Sequence, residues 1–578
     1  MASRLTVSIG QCSRKGRKSV NQDFYGACRP HGPERETKGI TVALADGIGS
    51  SDVSQVASQA AVAGFFEDYY ATPEAWSVSN AAQRVIAATN SWLHAQTRRS
   101  QYRYDMDRGY VCTLSAMVLK GTFAHLFHVG DSRIYRLQGS TLEQLTEDHR
   151  LRVSREESYL ARAMGGDERV EIDYQRLPIQ PGDVFLLSTD GVHEFINKAA
   201  MARVVSDGGD DDLDALAQRI VDQAYEQGSD DNLTVQLVRV DAVPEQAQPA
   251  EAVQHLIGLP FPPHFNPPVT FEGYRIQRQL HGSARSHVYL AMDEGTGEQV
   301  ALKILATETR EEPAQLERFL MEEWIAQRIN HVHVASARPP QRERHYLYTV
   351  MEFIEGRTLE QWMTDNPRPG LEAVRGVVEQ IASGLQAFHR LEMIHRDLRP
   401  ANVMIDHGGT VKLIDFGSTR VPGIMEIFPV AIDEGPLGTA AYSAPEYFLE
   451  GEGTMRSDIY SLAVVTYQML TGQLPYGTEV AKARSRSALN RLRYQSVRNY
   501  NPELPVWLDG VLRKALHPDP EKRHEALSEF TFNLRHPSPD AYNQTPLPLM
   551  ERDPVRFWQG MSLVLAGAVV TLLVLLFV

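Results

Sequence analysis

Five short acidic stretches constrain the first half of the chain more than any bulk property does: NQD at 21–23, DGIG at 46–49, GDSR at 130–133, LLSTDG at 186–191 and SDDN at 229–232. Three of them follow apolar runs with strand character, namely ITVALA before Asp46, TFAHLFHVG before Asp131 and DVFLLST before Asp190. Taken singly, an Asp-Gly or Asp-Ser pair marks a turn. Taken together, they are aspartates at strand ends, and in a sandwich strand ends converge. Converging carboxylates repel one another unless a cation lies among them.

Hard oxygen donors with no histidine or cysteine beside them suit Mg²⁺ or Mn²⁺. Two such ions sharing a water lower its pKa and clamp a phosphoryl group for in-line attack. The ordered set NQD, DGIG, GDSR, LLSTDG and SDDN resembles the metal-dependent protein phosphatases (PPM, type 2C), over about residues 5–240. The resemblance implies an αββα sandwich. It implies that Asp46 bridges two metals, that the Gly47 carbonyl ligates one, and that Asp190 and Asp231 hold the other. Asp23 would orient metal-bound water from behind, and Asp131 would help hold a third, looser ion. Two positions depart from the family pattern. Gln22 stands where a glutamate is frequent, which predicts looser metal or a preference for Mn²⁺. Lys18, next to Arg17, stands where an arginine contacts phosphate, a point charge in place of a bidentate fork.

The second half offers the parts that phosphoryl transfer from ATP requires. VALKIL places Lys303 in a strand. RFLMEEW places Glu322, or its neighbour Glu323, on a following helix. IHRDLRPANVMI supplies Asp397 and Asn402, and KLIDFGS supplies Asp415. GTAAYSAPE at 438–446 and SDIYSLAVVTYQML from Ser457 complete the order. This set resembles the Hanks-type Ser/Thr protein kinases, over roughly residues 270–535, and implies a bilobal kinase fold. By that resemblance Lys303 neutralises the ATP phosphates and Glu322 orients it. Asp397 receives or positions the substrate hydroxyl proton, and Asn402 and Asp415 bind Mg²⁺. Thr439 supports the substrate side, Glu446 and Arg523 form a buried pair, and Asp458 braces the catalytic loop. Arg399 replaces the family's catalytic-loop lysine and keeps its charge.

The phosphate loop departs further. Counting back from Val288, the three glycines of the family's loop fall at His281, Ser283 and Ser286, and only Gly282 lies nearby, one place out of register. Glycine lets loop amides approach phosphates closely. Hydroxyls of Ser283 and Ser286 can donate to phosphate oxygens, and Arg285 can add charge. Weaker ATP retention is therefore expected, with Lys303, Asp397, Asn402 and Asp415 carrying the electrostatic load.

Residues 241–269 are proline-rich and aperiodic and read as a linker with apolar patches that pack on a domain. A tether at 536–556 leads to residues 557–578, whose last 18 positions, MSLVLAGAVVTLLVLLFV, are uncharged. At about 1.5 Å per residue they reach roughly 27 Å, enough for a membrane span. With Arg552 and Arg556 before the span, a C-terminally anchored, single-pass inner-membrane protein with its catalytic domains in the cytoplasm is expected. The N-terminus has no apolar run and predicts no signal peptide. Three cysteines form no ligand spacing, and a net charge of −15 argues against a nucleic-acid surface.

The reading that follows is a multidomain α+β, membrane-tethered, bifunctional signalling enzyme. It would use ATP with Mg²⁺ in one half and Mg²⁺ or Mn²⁺ in the other, act on protein Ser/Thr groups, and have its own kinase domain among its substrates. Candidate hydroxyls in the activation segment are Ser418, Thr419, Thr439 and Ser443, with Arg396 able to pair a phosphate. The alternatives are a phosphatase governed by a nucleotide-binding pseudokinase and a non-catalytic membrane scaffold.

Overall fold

The computed structural model describes residues 4–152, 158–208, 212–244, 259–283, 285–306, 313–338, 342–426, 440–449, 451, 453–537 and 557–567. The chain divides into two compact units, one of residues 1–259 with 421–430, the other of 260–420 with 431–578.

The first unit is built on two five-stranded antiparallel sheets. One runs in the order Thr6–Arg14, Leu233–Ala242, Val184–Ser188, Arg133–Gln138, Thr141–Gln144; the other runs Asp173–Pro178, Phe123–Val129, Leu114–Lys120, Ile40–Ala45, Phe24–Cys28. The central strands are buried at nearly every position because both faces are covered. Val42, Leu44, Met117, Phe185, Leu187 and Val238 meet between the sheets. Ala43, Ala45, Ala116 and Val118 face outward onto the helices Ser54–Ala71 and Val78–Arg99. Leu186, Val235 and Leu237 face the helix Leu213–Glu226 on the other side. That helix lies directly on its strand: a Cβ at Gly10 would fall 2.1 Å from the Leu213 backbone, so only glycine fits. This αββα arrangement carries Asp46 and Asp190 off the ends of central strands.

The second unit begins with a five-stranded antiparallel sheet, Val269–Phe271, Tyr274–Gly282, Ser286–Asp293, Gln299–Leu305 and Thr349–Glu352, with the helix Pro313–Arg328. Phe265, from the proline-rich stretch, is buried in the core of this sheet against Phe271 and Tyr289. Helices dominate afterwards. Leu371–Arg390 buries one apolar stripe (Val374, Val377, Val378, Ile381, Leu385, Phe388), and Met455–Thr471 is buried nearly all round. The start of the latter is fixed by a capping box between Thr454 and Ser457.

Among the described residues no helix is long and apolar enough to cross a membrane. Residues 557–567 are helical with Leu563, Val564 and Leu565 exposed; the remaining residues of the expected span, 568–578, lie outside the described ones, as do 245–258 and 538–556.

One buried ion pair ties the turn Pro445–Leu449 to Arg523 in the helical lobe. Arg523, with no exposed side-chain surface, donates from Nη1 and Nη2 to the two Glu446 oxygens at 2.8 and 2.7 Å, and Ser457 Oγ donates to Glu446 Oε1 at 2.6 Å. Breaking a buried pair from one side leaves a charge uncompensated. Glu446→Ala should therefore cost the second unit about 3–5 kcal/mol in urea unfolding. The double variant Glu446→Ala/Arg523→Leu should recover part of that loss.

Candidate functional site

In the first unit, the aspartates are positioned by hydroxyls and backbone at strand ends. Asp46 follows the strand Ile40–Ala45; its amide donates to Thr113 Oγ1 at 2.9 Å, and its carbonyl accepts the Thr113 amide at 2.7 Å. Gly47 donates its amide to the Gln22 carbonyl at 3.2 Å, and a Cβ there would press within 2.9 Å of Gln22 and Ser54. Asp190 opens the short helix Asp190–His193 at the end of Val184–Ser188. Asp23 is buried, with Oδ2 accepting from Thr189 at 3.1 Å and Thr234 at 2.6 Å. Its Oδ1 is buried without a partner among the described residues. Asp231 lies 3.2 Å from Lys18 Nζ, and Asp131 lies 2.6 Å from Arg150 Nε.

Burial, and then nearby like charges, push Asp23, Asp46 and Asp190 up. Asp190 rises to about 7 through burial and the neighbouring Asp131. Asp23 rises to about 6, chiefly through burial, against the pull of its Thr234 hydrogen bond. Asp46 moves well above the carboxylate range through burial and then Asp23 and Asp190. Among the described residues no three His, Cys, Asp or Glu groups form a ready-made metal cage. The donor set nonetheless fits a hard divalent cation. It is all oxygen, its members destabilise one another's charge, and Asp23 presents an unsatisfied buried oxygen.

The two departures have structural uses. The Gln22 amide donates to the Ser51 carbonyl at 2.8 Å and Ser54 Oγ at 2.7 Å, so it ties down the start of a helix. Arg17 is held by the Gly228 carbonyl at 2.8 Å and lies 5.1 Å from the Tyr225 ring, which leaves Lys18 as the cation beside Asp231.

In the second unit, Lys303 Nζ lies 2.5 Å from Glu322 Oε2 and 3.6 Å from Asp415 Oδ1. The adjacent Glu323 pairs with Arg344 instead, which decides between the two glutamates. Burial pulls Lys303 down, but Asp415 and Glu322 outweigh it and leave the ammonium above the usual lysine range. Burial pushes Glu322 up to about 7 against the pull of Lys303. Asn402 Nδ2 donates to the Asp397 carbonyl at 2.9 Å and to its Oδ2 at 3.1 Å. Arg399 Nε donates to Asn402 Oδ1 at 3.3 Å and lies 3.9 Å from Asp397. Burial lifts Asp397 to about 6, with Arg399 pulling it back.

The backbone here is strained. Asp415 and Arg396 have φ of 66° and 67°, a region that non-glycine residues seldom occupy. Asp458 compensates by accepting from the amides of His395 at 2.9 Å and Arg396 at 3.1 Å, and from His389 Nε2 at 2.9 Å. The Arg396 guanidinium sits 5.1 Å from the Tyr447 ring. Thr419 and Ser443 are buried, and Thr439 lies outside the described residues.

The loop that departs most from the family pattern is a tight hairpin. His281 pairs with Val288 and Gly282 with His287. Ser283 closes the turn: its Oγ accepts from the amides of Arg285 and Ser286, each at 3.2 Å, and donates to the Ser286 carbonyl at 3.2 Å. The Ser283 hydroxyl is therefore engaged with its own backbone. Gly282 does not use the left-handed region, so the turn asks no conformational freedom of it. Ser283→Ala should free both amides. Hydrogen exchange at Arg285 and Ser286 should then run about fivefold faster, the equivalent of roughly 1 kcal/mol for a lost hydrogen bond.

Sequence reasoning did not single out Arg150, Thr113, Thr189 or Thr234. Each is an ordinary residue type whose role depends on which carboxylate it meets.

The family model of the protein kinase domain matches residues 274–531, and that of protein phosphatase 2C matches residues 11–227. The serine/threonine-protein kinase PrkC of Bacillus subtilis is 31% identical over 264 residues, 45% of this chain and 40% of that protein. The chain thus spans about two fifths of that relative's length. The kinase domain of Mycobacterium tuberculosis PknI is 27% identical, covering 48% of this chain and 100% of that one, with a TM-score of 0.38. The M. tuberculosis serine/threonine phosphatase PstP/Ppp is 24% identical, covering 41% of this chain and 99% of that one, with a TM-score of 0.35.

Proposed function

Because the chain carries a protein phosphatase 2C domain followed by a protein kinase domain, we propose that it both transfers phosphate from ATP to protein Ser/Thr hydroxyls and hydrolyses such esters. The observation that carries this reading is the Lys303–Glu322 contact at 2.5 Å, with Asp415 at 3.6 Å and Asp397 and Asn402 joined at 3.1 Å. All four groups that bear the electrostatic load of phosphoryl transfer are present and adjacent to their partners.

In the kinase half, Lys303 holds the nucleotide phosphates and Glu322 keeps its ammonium in place. Asn402 and Asp415 are the residues that would hold Mg²⁺. Asp397, oriented by Asn402, receives or positions the hydroxyl proton. Arg399 keeps a positive charge beside Asp397, and Arg285 lies close enough to lower the Asp397 pKa. In the phosphatase half, Asp46, Gly47, Asp190, Asp231 and Asp131 are the residues that would hold Mg²⁺ or Mn²⁺. Such ions, when bound, supply an acidified water and a clamp for the phosphoryl oxygens. Asp23, fixed by Thr189 and Thr234, is placed to take a proton from behind the site. Lys18 supplies charge for the phosphate.

The Ser/Thr specificity rests on the relatives' names. The chain's own kinase domain is a favoured phosphatase substrate, since a linker joins the two at an effective concentration on the order of millimolar. The exposed apolar helix at 557–567 and the uncharged residues after it support a membrane tether with both catalytic domains on the cytoplasmic side of an inner membrane.

Incubating the full chain with labelled ATP and Mg²⁺ or Mn²⁺ tests the reading. Label should appear in wild type, rise in Asp190→Asn and vanish in Lys303→Ala. No label in either wild type or Asp190→Asn would instead identify a nucleotide-binding pseudokinase. A pH profile probes Asp397 directly. Its ionised form is the one that accepts a proton, so transfer should fall as pH drops through about 6, by about tenfold per unit below it.

A further inference from the structure

One cationic side chain that neither resemblance assigns lies among the phosphatase carboxylates. Arg150 donates from Nε to Asp131 Oδ2 at 2.6 Å, from Nη2 to Asp190 Oδ2 at 2.8 Å, and from Nη1 to Glu194 Oε1 at 2.5 Å. Its backbone is fixed on both sides. Asp148 is gripped by Arg133 at 2.8 and 2.6 Å. His149 donates its amide to the Gly130 carbonyl at 2.8 Å and receives the Gly130 amide on Nδ1 at 3.1 Å. Arg150 then starts the strand Arg150–Arg152, paired with Ser158–Leu160. The guanidinium is thus delivered to Asp131 and Asp190 by a built support.

A divalent cation drawing on Asp131 and Asp190 needs the same oxygens. Two like charges cannot share them at these distances. A lysine or histidine could yield by losing its proton, but a guanidinium stays charged at any working pH. It must move to make room. Glu194, half exposed, gives it somewhere to go, because Nη1 can keep that outer carboxylate while Nε and Nη2 release the inner two.

We propose that Arg150 is an internal competitor for the divalent cation at the Asp131–Asp190 edge of the site, so that its displacement sets the affinity of the most weakly held ion. Arg150 is a positioning residue in this account, since it acts through the two carboxylates. The proposal rests on the phosphatase reading above.

Calorimetric titration of the full chain with Mn²⁺ alone tests it, alongside thermal melting in EDTA and in saturating Mn²⁺. Arg150→Gln should tighten the weakest Mn²⁺ step about 5- to 150-fold, the span of a removed coupling of this kind. Arg150→Lys should tighten it less, because an ammonium keeps the charge but not the fork. In EDTA, Arg150→Gln should melt below wild type, and the difference should close in Mn²⁺. Adding Asp131→Asn should abolish the tightening. Should Arg150→Gln not fold in EDTA, Arg150→Lys carries the comparison. Mn²⁺ binding by wild type that is unchanged or weakened in both variants overturns the proposal. Absence of Mn²⁺ binding in wild type and variants alike overturns the phosphatase reading itself, and this proposal with it.

Discussion

Buried carboxylates that cannot all stay charged without a cation are the constraint on which both halves of this chain depend. In the kinase half the cation is built in: Lys303 lies between Glu322 and Asp415 and stays protonated against burial. In the phosphatase half burial raises Asp46, Asp190, Asp131 and Asp23, and neighbouring aspartates push Asp46 and Asp190 further, with Arg150 and Lys18 the side-chain cations at their edge. The scaffolds differ, a double sheet in one case and a small sheet with a helical lobe in the other. The electrostatic problem is the same, and both solutions suit a phosphoryl group bearing concentrated negative charge.

Rigidity around these groups comes from hydrogen bonds that leave few backbone choices. Thr113, Thr189 and Thr234 fix Asp46 and Asp23. Asp458 satisfies the amides of a strained catalytic loop, and the buried Arg523–Glu446 pair ties the segment after that loop to the helices below. The Ser283 turn is the exception in kind. It closes a hairpin through bonds from one side chain to its own backbone, where a glycine-rich loop would have none.

Much of this was legible in the sequence, because strand runs covered on both faces read as mostly apolar stretches, and Asp46, Asp131 and Asp190 follow them. The order of the kinase residues was legible for the same reason: each sits in a short local context with its own turn chemistry. What stayed hidden depends on tertiary pairing. Glu322 and Glu323 are chemically identical neighbours, and only the rotation of their helix decides which meets Lys303. Phe265 was legible only as part of an apolar patch that packs on a domain; which core it fills, that of the sheet that follows, is settled by tertiary pairing. Arg150 reads as one more surface arginine, and nothing local announces the two carboxylates it meets. Ser283 offered a hydroxyl of the right chemistry, but a serine at a turn satisfies its own backbone first.

The central claim, that burial and neighbouring like charges keep Asp46 and Asp190 partly protonated until a metal joins them, is tested most directly by counting protons. With Asp190 near 7 and Asp46 well above the carboxylate range, the pair retains protons at neutral pH. Mn²⁺ binding to the full chain, measured calorimetrically at pH 7 in buffers of different ionisation enthalpy, should release about one proton or more, and fewer in Asp190→Asn. Binding with no proton release in any buffer would contradict the account.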